Sequence, residues 1–465
     1  MQKPKVGLLG LTLGFYEQLA PELSKSRERF VRERLMPALG EIADVQFDRA
    51  MFKREDIESA ITRFEADRVD VLLIILLTYS PSLVAAPALK QTRLPIVIWN
   101  TQELYAVDES CSDKELAENH GVHGTHDLCN VLVRADVPFG YVTGHLKDPG
   151  TIPALNALLR AGFSVSRLRR ARLGLIGYPF PGMGDFGCDL THMAATLGCA
   201  WEALPLAEYH KRATEADPSE TKRLTDAYRS RYEIGKRVTD SDLAATARSE
   251  IALRGLIRDY RLDGYSYQFL AFGEDDRSET LPFVAASRLL AEGIGFGGEG
   301  DLIAAAHSAL LSWLHPPASF SEMFTIDFGG NAVLLSHMGE ANVAMARTDR
   351  KPRLVARGTP IVPTRCTQLS LISVFQPGQA TLTALTLTSG QRWRIIASLV
   401  TTEDFGPLAG LDVPHTKLRP SGDVREFLDA YARAGGPHHL AICFGDARRE
   451  LAMTAQFLGA EYVEI

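Results

Sequence analysis

Short apolar stretches alternate with segments of helical spacing along the first third of the chain. Residues 5–10 predict a strand, 21–40 a helical segment and 44–47 a short strand. Residues 54–67 predict an amphipathic helix with Ile57, Ile61 and Phe64 on one face. Residues 71–77 form a wholly apolar strand, and 94–99 another. Strands apolar on both faces and separated by helices predict a parallel sheet covered on both sides. A second unit of this kind starts at residues 172–177, after a basic stretch at 167–172. Helical spacing over 281–290 is followed by a glycine-rich turn and a helix over 301–314, which Pro316 and Pro317 stop. Beyond it, residues 323–400 alternate polar and apolar positions, as in Ala380-Thr-Leu-Thr-Ala-Leu-Thr-Leu-Thr388, the pattern of an antiparallel barrel or sandwich. A helix over 424–434 and a strand over 438–444 complete the pattern. The expected fold class is α/β: two doubly wound, Rossmann-like domains followed by a C-terminal antiparallel, β-rich, barrel-like domain. The expected boundaries are 1–170 for an N-terminal domain carrying substrate loops, 171–320 for a central domain and 321–465 for the β-rich domain.

Composition narrows the partners. A chain of 465 residues exceeds one ordinary core. With 50 Lys and Arg against 57 Asp and Glu, the net charge of −7 argues against general binding to nucleic acid or an acidic membrane. The six cysteines are scattered, with no C-x-x-C pair, as expected of reduced thiols in a cytoplasmic protein. The N-terminus lacks the pattern of a secretory signal, and the longest apolar run, 69–77, is broken by Asp70 and too short to cross a bilayer. The reading is a cytoplasmic protein without membrane or nucleic-acid partners.

Candidate chemistry concentrates in the C-terminal half. Glu299 lies in Gly295-Phe-Gly-Gly-Glu-Gly-Asp301, before a helix, and Glu322 in Ser319-Phe-Ser-Glu-Met-Phe324, between the Pro-Pro stop and the next strand. His337 sits at a strand end, and His438 and His439 stand in tandem at the start of another. Two carboxylates and two imidazoles make a mixed oxygen and nitrogen set suited to Mn²⁺, Co²⁺ or a related divalent ion, with positions left for substrate oxygens. Their spacing matches no local metal signature. Each has a plainer role too: a helix-capping acid for Glu299, a solvated loop charge for Glu322, a hydrogen-bonded core histidine for His337. Side chains alternate along a strand, so only one of His438 and His439 is expected to face a given pocket. In the N-terminal half, Thr78-Tyr-Ser-Pro81 and Asn100-Thr-Gln102 follow strands at the edge where α/β sheets bind ligands. Asn119-His-Gly-Val-His-Gly-Thr-His-Asp127 spaces three histidines regularly, as a helix side or as a glycine-rich turn. The glycine-rich Gly182-Met-Gly-Asp-Phe-Gly187 has neither a G-x-G-x-x-G nor a Walker lysine and is not a nucleotide loop.

At these residues the chain resembles the arabinose/fucose ketol isomerase family, the arabinose isomerase branch above all. The segments around Glu299 and Glu322, Phe328-Gly-Gly-Asn331 with Ser336-His-Met-Gly-Glu340, and Ala434-Gly-Gly-Pro-His-His439 are similar to the stretches that carry that family's metal ligands. The resemblance implies Glu299, Glu322, His337 and one of His438 and His439 as ligands of Mn²⁺, alternatively Co²⁺ or Mg²⁺. It implies Tyr79, Gln102 and His123 as sugar contacts, and a homotrimer or homohexamer with active sites between subunits, His123 reaching a neighbour's metal site. The family's Ser-Gln-x-Leu-Tyr-Gly loop is here Leu11-Thr-Leu-Gly-Phe-Tyr16, and a second family glutamine is His120, so Tyr16 and His120 stand where the family reads its sugar. The implied activity is a metal-dependent aldose–ketose isomerase acting on an open-chain sugar through an enediolate, with Glu299 and Glu322 as the acid and base in either order. The alternatives are a sugar-binding or regulatory module on the same scaffold, and an epimerase or lyase acting on a modified sugar.

Overall fold

The computed structural model describes residues 2–465, which divide into two compact units. The first comprises residues up to Arg167 together with Ala452–Gly459. Its sheet is built from β1 (Lys5–Leu11), β2 (Asp44–Gln46), β3 (Ala50–Met51), β4 (Val71–Leu76), β5 (Ile96–Asn100) and β6 (Phe139–Thr143), all parallel. The strand order is β2-β1-β4-β5-β6, with β3 also on β1. Every residue of β4 is buried, because both faces of this central strand are covered. The helix Arg54–Ala66 lays Ile57, Ile61 and Phe64 on the sheet, as its spacing predicts. The chain reverses direction across the sheet between β1 and β4, and the loops after these two strands share one edge.

The second unit, Leu168–Leu451 with Ala460–Ile465, holds three sheets. Its first strands are β7 (Arg172–Ile176), β8 (Ala200–Leu204), β9 (Glu233–Ile234), β10 (Gly264–Tyr267) and β11 (Gly295–Gly297). Four of them form a parallel sheet in the order β11-β10-β7-β8. The remainder are β12 (Ala318–Asp327), β13 (Ala332–Ser336), β14 (Arg353–Ala356), β15 (Leu369–Ile372), β16 (Gly378–Leu387), β17 (Trp393–Thr402), β18 (His415–Pro420), β19 (His439–Phe444) and β20 (Glu461–Glu464). The order β16-β19-β12-β13-β18-β17 runs antiparallel throughout, and β17 pairs back onto β16, closing a barrel to which β20 adds in parallel. The fold class is therefore mixed α/β with a closed antiparallel barrel near the C-terminus, as the alternating pattern of residues 323–400 predicts. Two strands of that stretch, β14 and β15, leave the barrel and pair with β9 in a small separate sheet. No helix among the described residues is long and apolar enough to cross a membrane.

The helix Leu302–Leu314 is buried along its whole length, touching both the parallel sheet and the barrel strands β12, β16 and β19. It carries His307, which is 2% exposed and bonded through Nε2 to the Thr383 hydroxyl at 3.2 Å. Burial pushes the His307 imidazole down to about 4. Between pH 6.5 and about 4 the unfolded chain then binds more protons than the folded one, so stability is complete above this window and falls as pH drops through it. At roughly 1.4 kcal/mol per pKa unit, full expression amounts to about 3 kcal/mol. The slope of Tm against pH across this window is expected to be shallower in His307→Asn than in the wild-type protein. Parallel slopes would show that another group carries the acid sensitivity.

Candidate metal centre

Strand register brings three of the candidate residues together. Glu322 lies inside β12, not in a loop before a strand, and faces Ser336 of β13 on one side and His439 of β19 on the other. Residues opposite one another in adjacent strands point the same way, so Glu322 and His439 stand side by side, and His337 follows one residue beyond Ser336. The His439 Nε2 is 3.1 Å from Glu322 Oε1, and the His337 Nε2 is 3.7 Å from the same oxygen.

Glu299 reaches this group from the carboxyl end of β11. The turn places Glu299 at φ +58° and Gly300 at φ +87°, both in the left-handed region. A glutamate held there is strained, and strain of this kind is found where a side chain must be aimed. Glu299 Oε2 lies 3.7 Å from His439 Nε2 and 3.6 Å from His438 Nε2. One ligating atom each from Glu299, Glu322, His438 and His439 falls within 4.8 Å of the others. Both tandem histidines therefore turn inward, against the expectation from strand alternation. His439 is the first residue of β19 and His438 precedes it, so the pleat does not govern the pair.

Each imidazole is gripped on its far side by a carboxylate. His337 Nδ1 bonds Glu340 Oε2 at 2.6 Å, and the buried Tyr267 hydroxyl donates to the other oxygen of Glu340. His439 Nδ1 bonds Asp301 Oδ2 at 2.8 Å, while Asp301 Oδ1 accepts the Ala304 N–H and caps the helix Leu302–Leu314. His438 Nδ1 bonds Asp185 Oδ2 at 2.6 Å, and the same oxygen accepts the His438 N–H at 2.9 Å. A carboxylate acceptor keeps the proton on Nδ1 and leaves the Nε2 lone pair facing the centre. The Phe320 ring meets His337 and His439 edge-on, and Phe186 stacks on His439, so neither ring is free to turn away. Asp185, Asp301, Glu340 and Tyr267 were not among the sequence candidates. Asp185 comes from the glycine-rich stretch 182–187 and Asp301 from the Glu299 motif itself.

Glu299 Oε2, His337 Nε2 and His439 Nε2 are buried and have no hydrogen-bond partner among the described residues. Orphaned buried donors and acceptors are costly, and three that converge fit a shared cation. The electrostatics agree. Burial would strip the proton from His337, but Glu340, Glu322 and Glu299 hold its pKa up at about 9. Burial likewise opposes charge on His438, and Asp185 with Glu299 holds it at about 10. Against its own burial, Glu322 is kept below the usual carboxylate range by His337 and His439. The same negative field suits a divalent ion, which would take the place of those protons.

The N-terminal candidates lie in the first unit. Tyr16, after β1, bonds His120 Nε2 through its hydroxyl at 2.9 Å. Tyr79, after β4, stacks on His123 with ring centroids 4.7 Å apart, and the His120 and His123 rings are 5.4 Å apart. His123 and His126 belong to the first turns of the helix Val122–Arg134. Gln102 is turned onto its own loop, its amide donating to the Leu104 carbonyl at 2.8 Å.

Residues 186–315 match the L-arabinose isomerase central domain and residues 317–461 the L-arabinose isomerase C-terminal domain. The chain belongs to the arabinose isomerase-like family. It is 28% identical to the L-arabinose isomerase of Acidothermus cellulolyticus over 83% of this chain and 79% of that one. Against the L-arabinose isomerases of Nocardioides sp. and Mycolicibacterium smegmatis it is 25% identical, again over 83% of this chain and 78% of each of theirs. Membership in the arabinose isomerase-like family makes the protein a sugar isomerase that interconverts an aldose and a ketose.

A carboxylate behind a metal-bound histidine sets the strength of that ligand. Asp301→Asn keeps an oxygen for the helix cap but removes the charged acceptor of His439, and Glu340→Gln does the same for His337. Each is expected to weaken Mn²⁺ binding by about 10- to 100-fold with little change in Tm. A metal titration of chelator-treated protein measures this. Unchanged affinity in both would mean that these acids serve packing alone.

Proposed function

We propose that the protein is a metal-dependent aldose–ketose isomerase acting on an open-chain sugar through an enediolate. The carrying observation is the convergence of three orphaned buried atoms, on Glu299, His337 and His439, beside the Glu322 carboxylate. Glu299, Glu322, His337 and His439 would hold the ion. His439 is chosen over His438 because it is buried with its Nε2 unpaired, whereas His438 is 37% exposed. Mn²⁺ suits this mixed carboxylate and imidazole set, with Co²⁺ and Mg²⁺ as alternatives. A divalent ion here supplies Lewis acidity to the sugar's carbonyl and neighbouring hydroxyl.

The chain's own groups move the protons. Glu299 takes the proton from C2 of the aldose, and the released electron pair forms the C1–C2 double bond while the C1 oxygen gains charge. Glu322, on β12 and ionised, takes the C2 hydroxyl proton and delivers it to C1 as the C2 carbonyl forms, and Glu299 gives its proton to the C1 oxygen, so both carboxylates end as they began. His438, at the rim with its Nε2 toward both carboxylates, donates to a sugar oxygen.

Tyr16, Tyr79, His120 and His123 are assigned to the sugar's hydroxyls. Following the family pattern, His123 serves a neighbouring chain in a homotrimer or homohexamer. The loop that ends at Tyr16 lacks the family's sugar-contacting glutamine and His120 replaces another, so the family's chemistry is carried over but L-arabinose as the substrate is not. The test is ketose formation from pentoses, 6-deoxyhexoses and C6-substituted hexoses with added Mn²⁺ and with chelator. Turnover on one of the latter two classes, abolished by chelator and restored by Mn²⁺, is expected. Chelator-insensitive turnover, or a product that is not the ketose, would contradict the reading.

A further inference from the structure

Within the second unit a cavity of about 310 Å³ is lined by residues that belong to neither the metal group nor its carboxylate supports. Its floor is buried and polar. Tyr209 and His210, from the helix Leu206–Thr214, are each 3% exposed, as is Ser249 from the helix Asp240–Tyr260, and Thr280 is 2% exposed. The Tyr209 hydroxyl donates to Ser249 Oγ at 2.6 Å, which leaves the serine's own proton to give to an occupant. Around the mouth stand three guanidinium groups from three separate segments: Arg248, Arg277 and Arg365.

The charges do not cancel. Glu279, also in the lining, takes Arg248 in a bidentate pair at 2.7 and 3.0 Å. Asp275 takes Arg277 in the same way at 2.9 and 2.6 Å, and its second oxygen lies 3.5 Å from His210 Nε2. Arg365 donates through Nε to the Asp276 backbone carbonyl at 2.8 Å and has no carboxylate partner among the described residues. Three guanidiniums thus share two carboxylates around one opening. The Arg365 fork, anchored at its Nε end, is left with its terminal N–H groups to spend. Guanidinium forks match carboxylate and phosphate oxygens, and a positive mouth above a hydroxyl-lined floor fits an oxyanion with a short polar tail. The volume falls at the lower end of small-molecule sites, about 300–1,000 Å³.

We infer that this cavity binds a small hydroxylated oxyanion, its phosphate or carboxylate on Arg365 and Arg248 and its hydroxyls on Ser249 and Thr280. The site is separate from the metal group and does not depend on the reaction assigned there. Calorimetric titration of the full-length protein, freed of metal by chelator and held at fixed ionic strength, tests it. The probes are inorganic phosphate, glycerol 3-phosphate, gluconate and uncharged glycerol. Saturable binding of glycerol 3-phosphate or gluconate at one site per chain is expected, tighter than inorganic phosphate, with none for glycerol. Whichever of the two binds more tightly identifies the oxyanion as phosphate or carboxylate. Arg365→Gln is expected to weaken binding by at least about tenfold, and Ser249→Ala to narrow the advantage over inorganic phosphate. Glu322→Gln, which alters the metal group, is expected to leave binding unchanged. Heats that do not saturate, binding that survives Arg365→Gln, or binding lost in Glu322→Gln would each overturn the proposal.

Discussion

Replacing Glu299 or Glu322 by glutamine is expected to lower kcat by about 10²- to 10⁴-fold or more while the protein remains folded. The amide keeps the shape of the carboxyl group but takes up no proton and is a weaker partner for a cation. Neither side chain supports the fold. Among the described residues Glu299 Oε2 has no hydrogen-bond partner, and the ion pairs of Glu322 are with the imidazoles of the same group. Far-ultraviolet circular dichroism and Tm should therefore match the wild-type protein. Two roles are superposed in each glutamate, and excess Mn²⁺ separates them. Turnover that stays lost at saturating metal marks a proton-transferring group, and turnover that returns marks a metal ligand alone. Full activity in either variant at ordinary metal concentrations would remove that residue from the chemistry.

Gly298→Ala is expected to abolish metal binding through a single methyl group. A β-carbon at Gly298 would lie 2.8 Å from His337 Nε2 and 3.1 Å from His439 Nε2, in the space these lone pairs face. The backbone there is not in the left-handed region, so alanine is tolerated conformationally. The methyl must displace either the imidazoles, each held by a carboxylate and by Phe320, or whatever lies between them. We expect at least about 100-fold weaker Mn²⁺ binding, with turnover lost in parallel. The neighbouring Gly297 is the control. Its β-carbon would fall 2.1 Å from the Asp301 carbonyl and 2.8 Å from the Ala305 N–H, both backbone, so Gly297→Ala should lower Tm sharply. Wild-type metal affinity in Gly298→Ala would show that no ion sits between His337 and His439.

What the sequence revealed follows the range of the interactions concerned. The strand at 71–77 and the helix at 54–67 were legible because periodicity and burial are local. The barrel was legible in the alternation of residues 380–388, though not its closure, which depends on β19 pairing with both β12 and β16, far from it along the chain. The placement of Glu322 was missed because a glutamate between apolar residues reads as a loop charge, whereas here an inward strand position is occupied for its chemistry. Strand alternation does not govern the tandem histidines, because His438 stands one residue before the strand begins. Asp185 carries no local signal, whereas Glu340 lies three residues beyond the histidine it holds. Asp185 acquires its role from His438, which the fold brings to it from far along the chain. Among the N-terminal candidates, Tyr16, Tyr79, His120 and His123 cluster through their rings, and Gln102 is held by its own loop.

The most direct measurement is anomalous diffraction from crystals soaked in Mn²⁺, recorded on either side of the manganese edge. One strong peak per chain is expected, within about 2.0–2.3 Å of an oxygen of Glu299, an oxygen of Glu322 and the Nε2 atoms of His337 and His439. A peak elsewhere, for instance among His120, His123 and His126, with none between these four side chains, would contradict the account.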